Sequence, residues 1–198
     1  MLNRNNYLIN QVQTEKVFWT SSAFLYEFIV PETKAKVMHT QEPKLSWLTK
    51  LFRIDRRYRG RTPFDLTIVT EDGRSIVSLR RGIAILVSKV QIFDAKNNLI
   101  GILKQRFSLL HAHLTMYAPD GKILFVIKGD WADWDFNIKD GEKSLATLSK
   151  GKGEGILTEL FTTKDSYHLK IEDNIAVDSM LRELLIASAI AVDIACNE

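Results

Sequence analysis

The sequence has almost no cysteine and none of the common catalytic motifs. Cys196 is the one cysteine among 198 residues, which excludes an internal disulfide and a multi-cysteine metal site. The patterns G-x-S-x-G, H-E-x-x-H, C-x-x-C and the Walker A loop are missing. We therefore expect a non-enzymatic cytoplasmic protein without a cofactor, held together by its core. Residues 1–13 lack the apolar run of a signal peptide, so export is not expected.

The chain also lacks an apolar run long enough for a bilayer. The stretch at residues 184–192 has nine residues, and as a helix it would rise about 13.5 Å against about 30 Å of hydrocarbon. Arg182, Glu183 and Asp193 flank it closely. A helix over residues 178–195, capped by Asp178-Ser179, is therefore expected to be enclosed by protein. The positions predicted to be buried are Leu181, Leu184, Leu185, Ala189 and Ile190.

Alternating apolar and polar side chains, the pattern of β-strands, fill most of the remaining sequence. Residues 64–70 and 167–172 alternate in this way. By the same pattern, one face is expected to hold Ile123, Phe125 and Ile127, and another to hold Leu145 and Thr147. Turn signals recur every 20 to 25 residues, at Asp72-Gly73, Asn97-Asn98, Asp120-Gly121 and Asp140-Gly141.

Each of these intervals has room for about two strands. With earlier strands near residues 7–13, 23–30 and 36–40, the total comes to roughly 11 to 13. Closure removes the exposed edges of so large a sheet. We therefore predict a mainly β protein, a closed antiparallel barrel enclosing the C-terminal helix, as a single domain over residues 1–198.

Positive charge is concentrated in one segment. The formal net charge is +3, yet residues 44–61 hold seven basic residues against Asp55, which makes them locally +6 and the remainder −3. The segment is either a solvated loop or a site for anionic lipid headgroups. Its aromatic residues favour a lipid interface over nucleic acid. The candidate lipid-binding residues are Trp47, Lys50, Phe52, Arg53, Arg56, Arg57, Arg59 and Arg61.

Three smaller motifs have competing interpretations. Residues 151–155, Gly-Lys-Gly-Glu-Gly, resemble a phosphate loop but fit a flexible turn better, because no capped helix clearly follows. His111 and His113 could share a metal, but no third ligand is nearby, which favours structural histidines. The carboxylates and tryptophans of residues 129–136 fit a turn with packed aromatics better than a sugar-cleaving site.

A series of segments in fixed order resembles the phospholipid-scramblase family and the related LURP-one-like proteins. The segments are residues 101–107 (GILKQRF), Gly129, residues 135–139 (DFNIK), residues 155–162 (GILTELFT) followed by Asp165, and residues 190–193 (IAVD). The resemblance implies a tubby-like barrel of about 12 strands around a C-terminal helix. It also implies a relation to lipid surfaces, since scramblases are associated with lipid scrambling and tubby proteins with phosphoinositides.

The sequence departs from the eukaryotic scramblase pattern at two places. The proline-rich region and the palmitoylated cysteine cluster are absent. The calcium segment normally opens with an acid, where this chain has Thr163. Asp165 and Asp173 remain as candidate calcium ligands, with Glu172 nearby. A protein calcium ion is coordinated by six to eight oxygen atoms, more than these residues supply. We therefore expect little response to calcium.

Two functions fit these observations. The first is a scramblase-like, membrane-peripheral protein that binds anionic phospholipid. The alternative is a regulatory or protein-interaction module that uses a tubby-like barrel and has no lipid role. Nucleic acid is not an expected partner.

Overall fold

A computed structural model describes residues 4–12, 24–42, 49, 53, 62–83, 89–106, 111–130, 134–150 and 166–196. Among these residues are twelve strands and a C-terminal helix. The strands are β1 (Asn6–Gln11), β2 (Tyr26–Val30), β3 (Ala35–Gln41), β4 (Phe64–Thr70), β5 (Ser75–Arg81), β6 (Lys89–Asp94), β7 (Leu99–Arg106), β8 (His111–Tyr117), β9 (Ile123–Asp130), β10 (Asp135–Asp140), β11 (Lys143–Lys150) and β12 (Ser166–Ile171). The helix is α1 (Met180–Cys196).

The strands form a closed antiparallel barrel. Each strand pairs with its neighbours in sequence, and β1 closes the barrel by pairing with β12, with Leu8 opposite His168. From Tyr167 to Ile171, β12 alternates as predicted, with Tyr167, Leu169 and Ile171 buried. The predicted fold class, strand number and most strand positions are confirmed. Each predicted turn places a residue in the left-handed region, for example Gly121 at a φ of 90°.

Helix α1 fills the interior of the barrel. Twelve strands enclose more space than the side chains of the wall can fill, so a central element is needed. Every residue from Leu184 to Ala195 is buried, which confirms the enclosed helix and the burial of Leu184, Leu185, Ala189 and Ile190; Leu181 is only partly buried. No helix among the described residues is long and apolar enough to cross a membrane.

The helix comes very close to the wall at Gly101 of β7. A Cβ atom added there would lie 2.6 Å from Cδ2 of Leu184 and 2.9 Å from the sulfur of Met116. Neither distance is compatible with normal van der Waals contact. Gly101 therefore fixes how closely the first turns of α1 can pack against β7.

Beta-bulges interrupt the alternation near the turns and change which side chains face inward. In the β8–β9 hairpin Tyr117 pairs with Ile123 and Met116 with Phe125, so Leu124 is an extra residue. Ile123 therefore points outward and is 53% exposed. In β11 the extra residue is Leu145, and its neighbours Ala146 and Leu148 are buried while Thr147 faces outward. Because of these bulges, Ile123 does not share a face with Phe125 and Ile127, and Thr147 does not share one with Leu145. Both predictions were wrong.

Candidate functional site

The two ends of the barrel differ in the length of their connections. Because the strands alternate in direction, residues 31–34, 71–74, 95–98, 118–122 and 141–142 all lie at one end, together with residues 172–179, which lead into α1. We call this the short-turn end. The opposite, long-connection end joins the strands through residues 12–25, 42–63, 82–88, 107–110, 131–134 and 151–165. The predicted basic segment belongs entirely to the long-connection end.

Charge and aromatic residues are distributed unequally between these ends. Connections at the long-connection end hold ten Lys and Arg residues against seven Asp and Glu, a net charge of +3. Those at the short-turn end hold four against eight, a net charge of −4, and contain no aromatic residue. All four tryptophans, Trp19, Trp47, Trp131 and Trp134, belong to the long-connection end. Loops grouped on one end of a rigid barrel are a common place for a binding surface.

Arg53, one of the predicted lipid-binding residues, is buried instead of exposed. Its Nη1 and Nη2 atoms donate to the two carboxylate oxygens of Glu42 at 2.6 and 2.8 Å, and both side chains are almost completely inaccessible. Nε donates to Oγ1 of Thr62 at 2.9 Å, and Nη2 also donates to the Pro63 carbonyl at 2.6 Å. The guanidinium lies 4.4 Å from the centre of the Phe24 ring.

The placement of Arg53 corrects its predicted role. A guanidinium that is paired with Glu42 and covered by protein presents no charge to a headgroup, so Arg53 is a structural residue of the long-connection end. The sequence offered one sign of this arrangement, an isolated acid, Glu42, just before the basic segment. The other candidate lipid-binding residues lie outside the described residues: Trp47, Lys50, Phe52, Arg56, Arg57, Arg59 and Arg61.

Arg182 and Asp193 anchor α1 at its two ends. In the sequence they were evident only as charges that flank the apolar run. The Arg182 guanidinium is buried and donates to the carbonyls of Arg4 at 2.6 Å and Ile175 at 2.7 Å, and to Oδ1 of Asn5 at 2.8 Å. Near the other end of the helix, the Tyr26 hydroxyl donates to Oδ2 of Asp193 at 2.5 Å. A buried charge requires hydrogen-bond partners. A charged residue next to an apolar run that is predicted to be enclosed therefore indicates a buried, bonded charge.

The short-turn end concentrates acids around the start of α1. Ser179 caps the helix by accepting a hydrogen bond from the Arg182 amide at 3.2 Å, as predicted. Partial burial raises the pKa of the Glu183 carboxyl, and the nearby charges of Asp94 and Asp178 raise it further. The positive end of the helix dipole lies among these acids, which is a favourable arrangement.

The structure does not test the predicted metal site, because only one of its two residues, Asp173, is among the residues that it describes. Asp173 is exposed, and its Oδ1 accepts a hydrogen bond from Asn5 Nδ2 at 2.6 Å. Asp165 lies outside the described residues, as do residues 151–155 and the side chain of His111. No group of three or more potential metal ligands occurs in the described part of the chain.

Trp134 forms an aromatic cluster at the long-connection end. Its ring stacks on Tyr167 with 4.7 Å between centroids and meets the edge of Phe136 at 5.5 Å. The Lys150 ammonium lies 5.0 Å from the Trp134 ring and 5.2 Å from the Tyr167 ring. At Trp134 and Phe136 the motif of residues 129–136 thus has the packed aromatics that were predicted; residues 131–133 lie outside the described residues.

Twelve antiparallel strands closed around one buried helix define a class of protein, the tubby-like barrels. The sequence matches the LURP-one-related family over residues 32–193, so the chain belongs to that family. A crystal structure of a protein from Arabidopsis thaliana is similar, with a TM-score of 0.51 and 13% identity, over 95% of this chain and 91% of that one. At this identity the likeness concerns the fold alone. No curated protein matches the sequence significantly.

Proposed function

We propose that the protein is a non-enzymatic, peripheral membrane protein that binds anionic phospholipid with the long-connection end of its barrel. One observation carries the proposal: this end combines the net positive connections with all four tryptophans, and the opposite end is acidic and lacks aromatic residues. Basic side chains are attracted to anionic headgroups, with about 1 kcal/mol for each Lys or Arg near the surface. Tryptophan favours the headgroup level of a bilayer.

The proposal rests mainly on residues 44–61. With Arg53 paired to Glu42, six basic residues and Asp55 remain there, a net charge of +5. They are interleaved with Trp47 and Phe52, a composition that suits a bilayer surface better than a soluble polyanion. Membership of the LURP-one-related family fixes the fold, and fold alone is a weak argument for function.

Vesicle co-sedimentation tests the proposal. The parent protein should bind vesicles of phosphatidylcholine mixed with phosphatidylserine, and should bind phosphatidylcholine alone poorly. Binding should fall between about 0.1 M and about 1 M salt, because the screening length shortens from about 10 to about 3 Å. If the parent binds neither kind of vesicle, lipid binding is wrong and a protein-interaction module becomes the better function.

A variant in the basic segment tests which residues are responsible. Replacing Lys50, Arg56, Arg57 and Arg59 together by Gln removes four charges and leaves the buried Arg53–Glu42 pair intact. Binding to anionic vesicles should weaken at least about tenfold, given about 1 kcal/mol per charge. Trp47→Ala should reduce the binding that persists at high salt. Unchanged binding by the quadruple variant would mean that residues 44–61 are a solvated loop.

A further inference from the structure

A group of exposed lysines lies on the outer wall of the barrel close to the long-connection end. Lys89 begins β6, and Lys104 and Lys128 lie two residues before the ends of β7 and β9. All three are exposed, and the residues beside them in sequence, Val90, Leu103 and Ile127, are buried in the core. The lysine side chains therefore point outward. We call these three residues the lysine face.

The strand register places the members of the lysine face near one another. Lys89 is directly opposite Lys104, and Lys104 is opposite Thr115 of β8. Thr115 is in turn opposite Val126, two residues before Lys128. Like charges directly opposite each other in a sheet are destabilising. None of the three lysines takes part in an ion pair with another described residue.

The surroundings limit this positive surface on both sides. On β9 and β10, the exposed carboxylates of Asp130 and Asp135 are opposite each other and mark one boundary. On the other side, Arg80 of β5 is bonded to Asp65 of β4 at 3.2 Å. Between these boundaries the Lys104 ammonium lies 4.7 Å from the Tyr117 ring. Next to the long-connection end, the wall between these boundaries presents three lysines that form no ion pair with a described residue.

An exposed apolar side chain lies at the same end of the barrel as the lysine face. Ile83 follows the end of β5 by two residues, on the connection to β6, and is 75% exposed. A large exposed apolar side chain at the same end as these lysines suits a bilayer interface, which accepts both. It suits a soluble polyanion less well, because nothing there would cover the isoleucine.

Building on the proposed function, we infer that the barrel docks on an anionic bilayer with the wall of β6 to β9 tilted toward the membrane, so that Lys89, Lys104 and Lys128 contact headgroups and Ile83 enters the interface. In this orientation the acidic short-turn end and the start of α1 face away from the lipid. The lysine face then adds to residues 44–61 a second contact that belongs to the rigid barrel.

Matched triple variants test the docking face. Lys89, Lys104 and Lys128 are replaced together by Gln, and the control replaces Lys96, Lys122 and Lys143, three exposed lysines at the short-turn end. Both variants lose the same net charge. The first should bind vesicles containing phosphatidylserine about tenfold to a hundredfold more weakly than the parent, and the control should lose less than about threefold.

Ile83→Asp and Ile123→Asp form a second matched pair, since both isoleucines are exposed and lie at opposite ends of the barrel. The first should weaken vesicle binding about fivefold or more, and the second should not. Circular dichroism verifies that all variants are folded.

The outcomes separate this inference from the proposed function. Equal losses in the two triple variants, with a parent that binds, would overturn the docking face and leave lipid binding intact. A lysine-face variant that keeps vesicle binding but loses binding to an RNA oligonucleotide would also overturn it. A parent that does not bind anionic vesicles would overturn both.

Discussion

The Arg53 guanidinium is paired with Glu42 inside the long-connection end, where neither charge reaches solvent. Such a pair costs desolvation, and hydrogen bonds to Thr62 and Pro63 offset part of that cost. Glu42 also accepts a hydrogen bond from the Phe24 amide at 3.1 Å. Arg53 resembles a surface cation in the sequence. In the structure it links the residues that adjoin β2, β3 and β4.

Removing one partner of this pair should destabilise the protein strongly. Arg53→Met leaves the Glu42 carboxylate buried without its cation, and the free energy of unfolding should fall by about 3–5 kcal/mol. Glu27→Gln is the control, because its salt bridge to Lys36 is exposed and should contribute less than about 1 kcal/mol. Urea denaturation measures both changes. Equal midpoints for Arg53→Met and the parent would contradict the buried pair.

His168 makes stability depend on pH. Burial lowers the pKa of its imidazole, and the neighbouring Lys170 charge lowers it further, while Glu32 acts in the opposite sense. Nε2 has no hydrogen-bond partner among the described residues. The unfolded chain therefore binds a proton more readily than the folded protein at mildly acidic pH.

Stability should consequently fall as the pH is lowered below about 6.5, the pKa of an unfolded histidine, and should level off below the folded pKa. One proton limits the slope to about 1.4 kcal/mol per pH unit. His168→Gln should reduce this slope, as measured by urea denaturation at several pH values. The Glu183 carboxyl, with its raised pKa, contributes in the opposite sense above about pH 4.3. A slope that is the same in the variant would exclude His168 as the titrating group.

Among the elements, α1 is the one on which the barrel depends most. Its side chains fill the interior; Arg182 ties its start to the residues just before β1, and Asp193 ties its last turns to β2. Burying a charge at its centre without a partner should cost several kcal/mol, against a typical total stability of about 5–15 kcal/mol.

Leu185→Asp is therefore expected to abolish soluble, folded protein. Met180→Asp on the same helix is the control, because Met180 is 51% exposed and Leu185 is fully buried. Soluble yield and the near-ultraviolet circular dichroism spectrum measure the outcome. A folded Leu185→Asp protein would contradict the enclosed helix.

The hairpins share a local feature that the sequence pattern hides. Each turn of the short-turn end is followed by a strand with one extra, apolar residue: Val37, Ile76, Ile100, Leu124 and Leu145. Three of these, Ile76, Ile100 and Leu145, are buried in the core. An inserted residue shifts the alternation of inward and outward side chains by one position. A prediction that assumes strict alternation is therefore wrong next to these turns.

For the whole molecule, the charge asymmetry follows the direction of α1. The net acidic connections join the strands at the end where α1 begins, and the net basic connections join them at the end where α1 finishes. The dipole acts mainly within the first and last turn, so it accounts for Asp178 and Glu183 but not for six cations in residues 44–61. An anionic surface at the long-connection end, as we propose, accounts for the rest.

The candidate surface was only partly predictable from sequence. Residues 44–61 are contiguous, so their charge is evident at once. Lys89, Lys104 and Lys128 are 15 and 24 residues apart, and only the strand register brings them onto one wall. Arg53 has the same sequence surroundings as its neighbours, and its burial depends on Phe24, just before β2, and Glu42, just after β3.

The sequence by itself determined the class of fold, the turns and the enclosed helix of this protein, because these depend on local periodicity, on Gly and Asn at left-handed positions and on the length of one apolar run. Tertiary structure decided the rest: which strand closes the barrel, where bulges reverse a face, and which charges become partners of Glu42 or Asn5. These outcomes depend on contacts between residues distant in sequence, and the energy of a buried charge is set by neighbours that the local sequence does not contain.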